Sequence, residues 1–213
     1  MIWHNLVESF VETFFTSDLH LGEERMSIMS RPFPDGQACV EHMIHEHNLI
    51  VKPDDRVIIA GDVCYQKRLD MLPVIDRFNG RKTLIRGNHD RGLSDSDLAP
   101  YFDRVIPDGD GLELNIGGLD CYVTHYPTRG VADRFNLVGH IHSAWKIQLN
   151  MLNVGVDVHH FRPLSMNSVL FFYKAICDFY DEDVWVAYRD MNNKWYNRRG
   201  KTGSYFVNQE DKL

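Results

Sequence analysis

Five short polar groups carry the chemistry of this chain. They are Asp18-Leu19-His20, Gly61-Asp62, Gly87-Asn88-His89-Asp90, a single His125 before Tyr126-Pro127, and Gly139-His140-Ile141-His142. Carboxylates, imidazoles and a carboxamide are ligands for divalent metals, and a mixed nitrogen and oxygen set suits Mn, Fe, Zn, Co or Ni better than Ca. Two such ions about 3.5–4 Å apart lower the pKa of a shared water toward about 7 and neutralise phosphoryl oxygens. A single Asp carboxylate can bridge them with one oxygen to each. The chemistry implied is metal-activated hydrolysis of a phosphate ester. Taken alone each group is weak: Asp18 reads equally well as a helix cap, and the Gly-His-x-His pair as exposed loop histidines. Their order, with nearly every group directly after an apolar β-branched run, is what points to one converging site.

Those runs are the elements that must position the polar groups. Residues 11–17 read as a strand running into Asp18, 56–60 as a short buried strand ending at Gly61-Asp62, and 82–86 as one ending at Gly87-Asn88. Residues 112–116 and 121–124 flank Gly117-Gly118 as a hairpin whose second strand ends at His125. Residues 135–138 lead into Gly139-His140, and 151–156 form a further strand. Between them, 38–51 predicts a helix, with Val40, Met43, Ile44, His47 and Ile50 on one face. Residues 67–78 predict a helix that Pro73 must kink or split. Ser165 is a candidate cap for a helix running to about Cys177. Residues 184–189 and 194–198 suggest a second hairpin around Asn192-Asn193. Strands alternating with helices early, and hairpins later, imply mixed sheets with helices outside. A Gly before a site residue permits a sharp turn off the strand and close passage of the backbone.

Composition narrows the function classes. With 213 residues, 44% of them hydrophobic, the chain suits one domain with a sizeable core. The expectation is a single domain over 1–213, with about 178–213 as its C-terminal hairpin and tail. A formal charge of −7 gives no broad basic footprint, which argues against duplex nucleic acid as a high-affinity partner. The N-terminal stretch has too short an apolar run for a secretory leader, and no segment has the ~18–20 apolar residues of a membrane span. Cys39, Cys64, Cys121 and Cys177 lack C-x-x-C spacing and read as buried thiols in a reducing, cytoplasmic setting.

The series D-x-H, G-D, G-N-H-D, H, G-H-x-H resembles the calcineurin-like metallophosphoesterase superfamily over Asp18 to His142. The neighbouring text (RPF at Arg31, IRGNHD at Ile85, NVGVD at Asn153) is similar to a group of small bacterial and phage phosphoesterases. The resemblance implies an α+β or α/β fold, with two facing mixed β-sheets flanked by helices as a four-layer αββα sandwich. It also implies two divalent ions, with Mn the first choice, at the strand ends. By the same resemblance Asp18, His20 and His142 would bind the first ion, Asp62 would bridge, and Asn88, His125 and His140 would complete the second. His89 would act as general acid or as a hydrogen-bond donor to the transition state. Asp90 would orient it through the other ring nitrogen. A metal-bridging hydroxide would attack in line.

Departures from the family pattern narrow the reading. Val63-Cys64 follows Gly61-Asp62, where many relatives carry a further Asp. Tyr65-Gln66-Lys67 and Asp90 stand where phosphoprotein phosphatases have Asp-Arg-Gly and Glu. Glu23 stands where the small relatives commonly have His. Arg31, Arg86, Arg91 and Arg129 are candidate phosphate clamps, because a guanidinium suits bidentate phosphate binding. His42, His45 and His47 read as surface or packing residues, and His159-His160 as possible neighbours of the site. The expected substrate is small and phosphorylated or nucleotide-type, with a phosphodiester slightly favoured on resemblance. Nucleic acid is not favoured, and no membrane is expected. The alternatives are a nuclease or nucleotide pyrophosphohydrolase and, from another class, a non-catalytic scaffold. A scaffold would be expected to have lost site residues such as His89.

Overall fold

A computed structural model describes residues 11–65 and 68–179, together with two short strands at 187–189 and 195–197. The first sheet runs β10-β1-β2-β3-β4, formed by Leu164–Ser165, Thr13–Thr16, Arg56–Ile59, Arg81–Ile85 and Arg104–Ile106. Strands β1 to β4 are parallel and β10 is antiparallel to β1. The second sheet runs β5-β6-β7-β9-β8, formed by Gly111–Ile116, Leu119–Thr124, Phe135–Val138, Met151–Asn153 and Ile147–Gln148. Its three central strands are parallel and its edges antiparallel. Both sheets are therefore mixed, as expected.

Side-chain alternation explains the layering. In the first sheet Phe14, Val57, Ile59 and Leu84 point into one core with Cys39, Val40, Met43 and Ile44 of helix α1 (Gly36–Asn48). Their neighbours Phe15, Ile58 and Ile85 enter a second core with Val123, Leu137 and Leu152 of the second sheet and Val169 and Ile176 of α3 (Met166–Phe179). The period of two thus buries both faces of the first sheet, and the core it shares with the second sheet and α3 holds the two sheets face to face in a sandwich, with α1 on the outer face of the first. Asp35 caps α1 by accepting the Ala38 N–H at 2.7 Å. Ser165 accepts the Ser168 N–H at 3.2 Å at the start of α3, the capping role expected of it.

Boundaries differ from the sequence reading where local chemistry intervenes. Helix α1 ends at Asn48 rather than at residue 51, and Ile50 is left exposed. Residues Leu69–Arg77 form a 3₁₀ helix, because Pro73 has no N–H to give an α-helical ladder. The strand expected over 151–156 stops at Asn153 and passes into a 3₁₀ turn, Val156–Val158. Gly117 and Gly118 take φ of +57° and +94°, the turn a two-residue hairpin requires. Short helix α2 (Asp95–Leu98) opens on a Ser94–Asp97 capping box. Strands β11 (Ala187–Arg189) and β12 (Trp195–Asn197) pair antiparallel, and the expected turn between them lies outside the described residues. Cys39, Cys64 and Cys121 are buried, but Cys177 is exposed, because it falls on the outward side of α3. No helix among the described residues is long and apolar enough to cross a membrane.

Candidate metal centre

The polar groups leave the carboxyl ends of five strands: β1 (Asp18, His20), β2 (Asp62), β3 (Asn88, His89), β6 (His125) and β7 (His140, His142). Backbone pairing carries the strand order into these loops. Asp18 N–H donates to Gly61 O at 3.0 Å, His20 N–H to Asp62 O at 3.0 Å and Leu21 N–H to Val63 O at 2.8 Å. The second sheet is stitched on by the His140 N–H, which lies 3.1 and 3.0 Å from the two Asp18 carboxylate oxygens.

Three overlapping groups offer ligand atoms within 4.8 Å of one another: Asp18, His20 and His142; His20, Asp62 and His89; and Asp62, His125 and His140. Asp62 Oδ2 lies 3.5 Å from His20 Nε2 and 3.4 Å from His125 Nε2, and so faces both outer groups. Asn88 joins through Oδ1, 3.2 Å from His125 Nε2. Asp18, His20, Asp62 and His125 are buried, whereas His140 is exposed and His89 and His142 are partly so. The cluster is therefore rooted between the sheets and opens to solvent along one side.

Five of these residues are among the non-glycine residues with positive φ, a set that also holds Ser30, Leu149, His160 and Phe161. Asp18, His20, Asp62, His140 and His142 all have φ between +46° and +75°. Each left-handed non-glycine residue costs about 1–2 kcal/mol, and such strain gathers at functional sites. The preceding glycines are sterically required. A Cβ on Gly61, itself at φ +92°, would lie 2.3 Å from His125 Nδ1, and one on Gly87 would lie 2.2 Å from Asp62 Oδ1. These positions are closed by the His125 and Asp62 side chains themselves.

The lone pairs converge in a way that calls for cations. His125 Nδ1 lies 2.7 Å from Ala60 O, which can only accept, so Nδ1 carries the proton. Its Nε2 then faces two more acceptors, Asn88 Oδ1 and Asp62 Oδ2. Burial opposes charge on this ring, yet Asp62 and Asp18 outweigh it and raise its pKa to about 9. A positive charge is favoured at that point. Both ring nitrogens of His20 are buried with no hydrogen-bond partner among the described residues. Burial pushes its pKa down to about 3, so it is a neutral imidazole with a lone pair to give. Asp62 is held near 2 because His125 and His20 outweigh the burial that would raise it. A neutral, orphaned buried imidazole, a second imidazole where positive charge is favoured and a carboxylate aimed at both are a donor set that fits divalent metal.

Supporting residues divide by burial. Asp157, just after β9, accepts His142 Nδ1 at 2.8 Å and Arg31 Nε at 2.7 Å. This leaves the lone pair of His142 Nε2 free to bind a metal. Burial would raise the Asp157 pKa, but His142 and Arg31 outweigh it and hold it below the usual carboxylate range. Asn153 pins the following loop by donating to His142 O and Trp145 O. The sequence motifs assign Asp157 no role. The available signal was another Gly-led polar residue, Gly155-Val156-Asp157, after a strand.

Several expectations need correction. Asp90 does not orient His89. It is wholly buried, and its two oxygens accept the backbone N–H groups of Asp62 (2.8 Å), Gly87 (2.9 Å) and Val63 (3.0 Å). It braces the two ligand loops from behind. Arg31 cannot clamp a phosphate, because its guanidinium is sealed between Asp157 and the carbonyls of Asp18 and Leu19. Arg86 is spent on the carbonyls of Asp90 and Leu93 and on Asp95. Arg91 lies at the rim, bonded to Asp108 and to the Tyr126 hydroxyl, and the Tyr126 ring stands 4.7 Å from that of His125. Arg129 is exposed. His159 is turned into the core, with Nε2 on Asn153 O, outside the ligand groups. His42 packs between Phe33 and Phe161, and His47 bonds Asn79 O, as packing residues do. Cys64 is a buried thiol pushed up to about 12 by burial.

No protein-family model matches the chain. The Gene 66 protein of Mycobacterium phage L5 is 35% identical over 81 residues, 37% of this chain and 39% of that protein, so the match spans about two fifths of the curated relative's length. Among crystal structures, the protein of unknown function AQ665 from Aquifex aeolicus superposes with a TM-score of 0.59 at 18% identity, over 76% of this chain and 100% of that one. It shares the fold. An archaeal phosphodiesterase aligns at a TM-score of 0.40 and 17% identity, over 68% of this chain and 82% of that one.

Proposed function

We propose that the chain is a dinuclear-metal-dependent phosphoesterase acting on a small phosphorylated or nucleotide-type substrate, with phosphodiesters ahead of monoesters. One observation carries the reading: buried ligand atoms from both sheets converge in groups within 4.8 Å of one another, and neither ring nitrogen of His20 has a hydrogen-bond partner among the described residues. Asp18, His20 and His142 would hold one ion and Asn88, His125 and His140 the other, with Asp62 facing both. When bound, the two ions supply an activated water and neutralise the phosphoryl oxygens.

The chain's own residues supply the rest. The Ala60 carbonyl holds the proton on Nδ1 of His125, and Asp157 holds it on Nδ1 of His142, so both rings present Nε2 inward. The His89 backbone N–H donates to Asp62 Oδ1 at 2.8 Å and fixes one carboxylate oxygen while the other stays aimed at the histidines. The His89 ring lies 4.7 Å from that of His20 on the open side of the cluster. From there it can give a proton to the leaving oxygen of a phosphoryl group seated over the centre.

The test is metal content and turnover together. Elemental analysis of protein equilibrated with Mn²⁺ should find two ions per chain. Bis(p-nitrophenyl) phosphate should be hydrolysed with Mn²⁺ and not with chelator. Metal-replete protein inert toward this diester, p-nitrophenyl phosphate, dinucleoside polyphosphates and single-stranded DNA would overturn the reading.

A further inference from the structure

Beside the open edge of the cluster stands an array that the metal centre does not use. Glu23 is 4% exposed, an unusual place for a carboxylate. It accepts Arg25 N at 2.7 Å, Arg25 Nε at 3.0 Å and Arg25 Nη2 at 2.8 Å. Two of the three bonds hold the guanidinium and the third holds the backbone of the same residue, so the buried acid fixes Arg25 in place. That guanidinium is not buried: the Arg25 side chain is 53% exposed. It lies over the Tyr65 ring at 5.0 Å, and its Nη2 also donates to the Tyr65 hydroxyl. The Tyr65 ring in turn stands 5.5 Å from the His89 ring, tilted by 33°. Nη1 of Arg25 has no hydrogen-bond partner among the described residues.

This architecture differs from that of Arg31 and Arg86, and from that of Arg91 in that the carboxylate partner of Arg91, Asp108, is itself 23% exposed. Arg31 and Arg86 spend their donors on carbonyls and carboxylates inside the protein. Arg25 is fixed on one side and open on the other, which suits an arginine that recognises a ligand anion. It adjoins the cluster through the Tyr65 ring, which stands beside His89, the group proposed above to protonate the leaving oxygen. We propose that Arg25, anchored by Glu23 and stacked on Tyr65, forms a subsite for a phosphate carried on the leaving group. It makes this protein selective for substrates whose departing half is itself phosphorylated, such as nucleoside oligophosphates. The proposal rests on the phosphoesterase reading and deepens it.

The experiment compares two substrates and one binding reaction. For wild type, Arg25→Lys and Arg25→Gln, kcat/KM is measured with Mn²⁺ on diadenosine tetraphosphate, whose leaving group is a nucleotide, and on bis(p-nitrophenyl) phosphate, whose leaving group carries no phosphate. The ratio of the two should fall at least tenfold in both variants, mainly through KM for the tetraphosphate. Arg25→Lys keeps the charge next to buried Glu23, so it guards against simple unfolding, and its thermal midpoint is recorded alongside. A ratio within twofold of wild type, an equal fall on both substrates, or a wild-type enzyme that cleaves the diester but not the tetraphosphate would overturn the subsite. Calorimetric titration of inorganic pyrophosphate gives a readout independent of turnover: Arg25→Gln should weaken binding at least fivefold, and an unchanged Kd would sink the proposal. Absence of any hydrolysis, with pyrophosphate binding still dependent on Arg25, would instead count against the phosphoesterase reading alone.

Discussion

Asp157→Asn is expected to separate metal binding from folding. The wild-type carboxylate sits between two donors, with Oδ1 on Arg31 Nε at 2.7 Å and Oδ2 on His142 Nδ1 at 2.8 Å and Arg31 Nη2 at 3.3 Å. An amide keeps one acceptor and gains a donor. Arg31 can only donate, so the carbonyl oxygen must turn to it and the new NH₂ must face His142. The imidazole can then avoid a donor–donor clash only by moving its proton to Nε2, the nitrogen that should bind metal. Loss of such an orienting carboxylate lowers metal affinity by about 10–100-fold, or about 1.4–2.8 kcal/mol. The same change removes the charge opposite Arg31, whose side chain is 1% exposed. Breaking a buried pair from one side costs about 3–5 kcal/mol. The low end applies, because the Asp18 and Leu19 carbonyls still receive the guanidinium. Chelator competition with Mn²⁺ measures the first effect, and urea unfolding of metal-free protein the second. An unfolding loss with metal affinity within twofold of wild type would mean that Asp157 serves Arg31 alone, and the tautomer reasoning would fail.

Other perturbations are expected to act through single residues. Asp62→Asn should lose metal and activity together, seen by elemental analysis and by turnover of bis(p-nitrophenyl) phosphate; retention of two ions would exclude the shared-ligand role. His89→Ala should keep metal but slow turnover by about 10²–10⁴-fold, the usual worth of general acid catalysis. Its deficit should be steepest for poor leaving groups, and an equal loss across leaving groups would rule out proton donation. His47 is buried on Asn79 O, and burial lowers its pKa to about 4 against 6.5 when unfolded. The unfolded chain therefore binds the extra proton between those values. The stability from a neutral His47 is fully present above pH 6.5 and is lost as pH falls toward 4, by at most about 3 kcal/mol. Urea midpoints from pH 7 to pH 4.5 should fall less steeply in His47→Gln, and parallel curves would refute the assignment.

The strands and their ends were legible because both signals are local. Apolar β-branched runs such as Val57-Ile58-Ile59 can hardly be placed except in a sheet buried on both faces, and a Gly-led polar group after each run marks where the chain turns out. What could not be read locally was the conformation of the candidate ligand residues. Nothing in the type of Asp18 or His142 announces a positive φ. It is imposed by loops from two sheets meeting at one point, with the Asp18 carboxylate receiving the His140 N–H across that seam. The same limit explains residues 67–78, whose apolar spacing suggests an α-helix while Pro73 and packing leave only 3₁₀ turns.

Charges near the centre were the hardest to assign, and the reason is depth. A sequence gives the type of Arg31, Arg86, Asp90 and Glu23 and their closeness to the motifs, but not which side of the ligand shell they occupy. A group wholly inside must satisfy its charge from the protein. Asp90 accordingly takes three backbone N–H groups and Arg31 takes two carbonyls and Asp157. Such residues fix the loops and have no donor or acceptor left for a substrate. A group at the surface can be left partly unspent, and holding it still lowers the entropy lost when a ligand binds. Arg25 meets that condition because the buried partner is Glu23 and not Arg25 itself. The division between bracing and binding therefore follows from which member of each ion pair is exposed. That property belongs to the folded surface and leaves no mark on residue spacing.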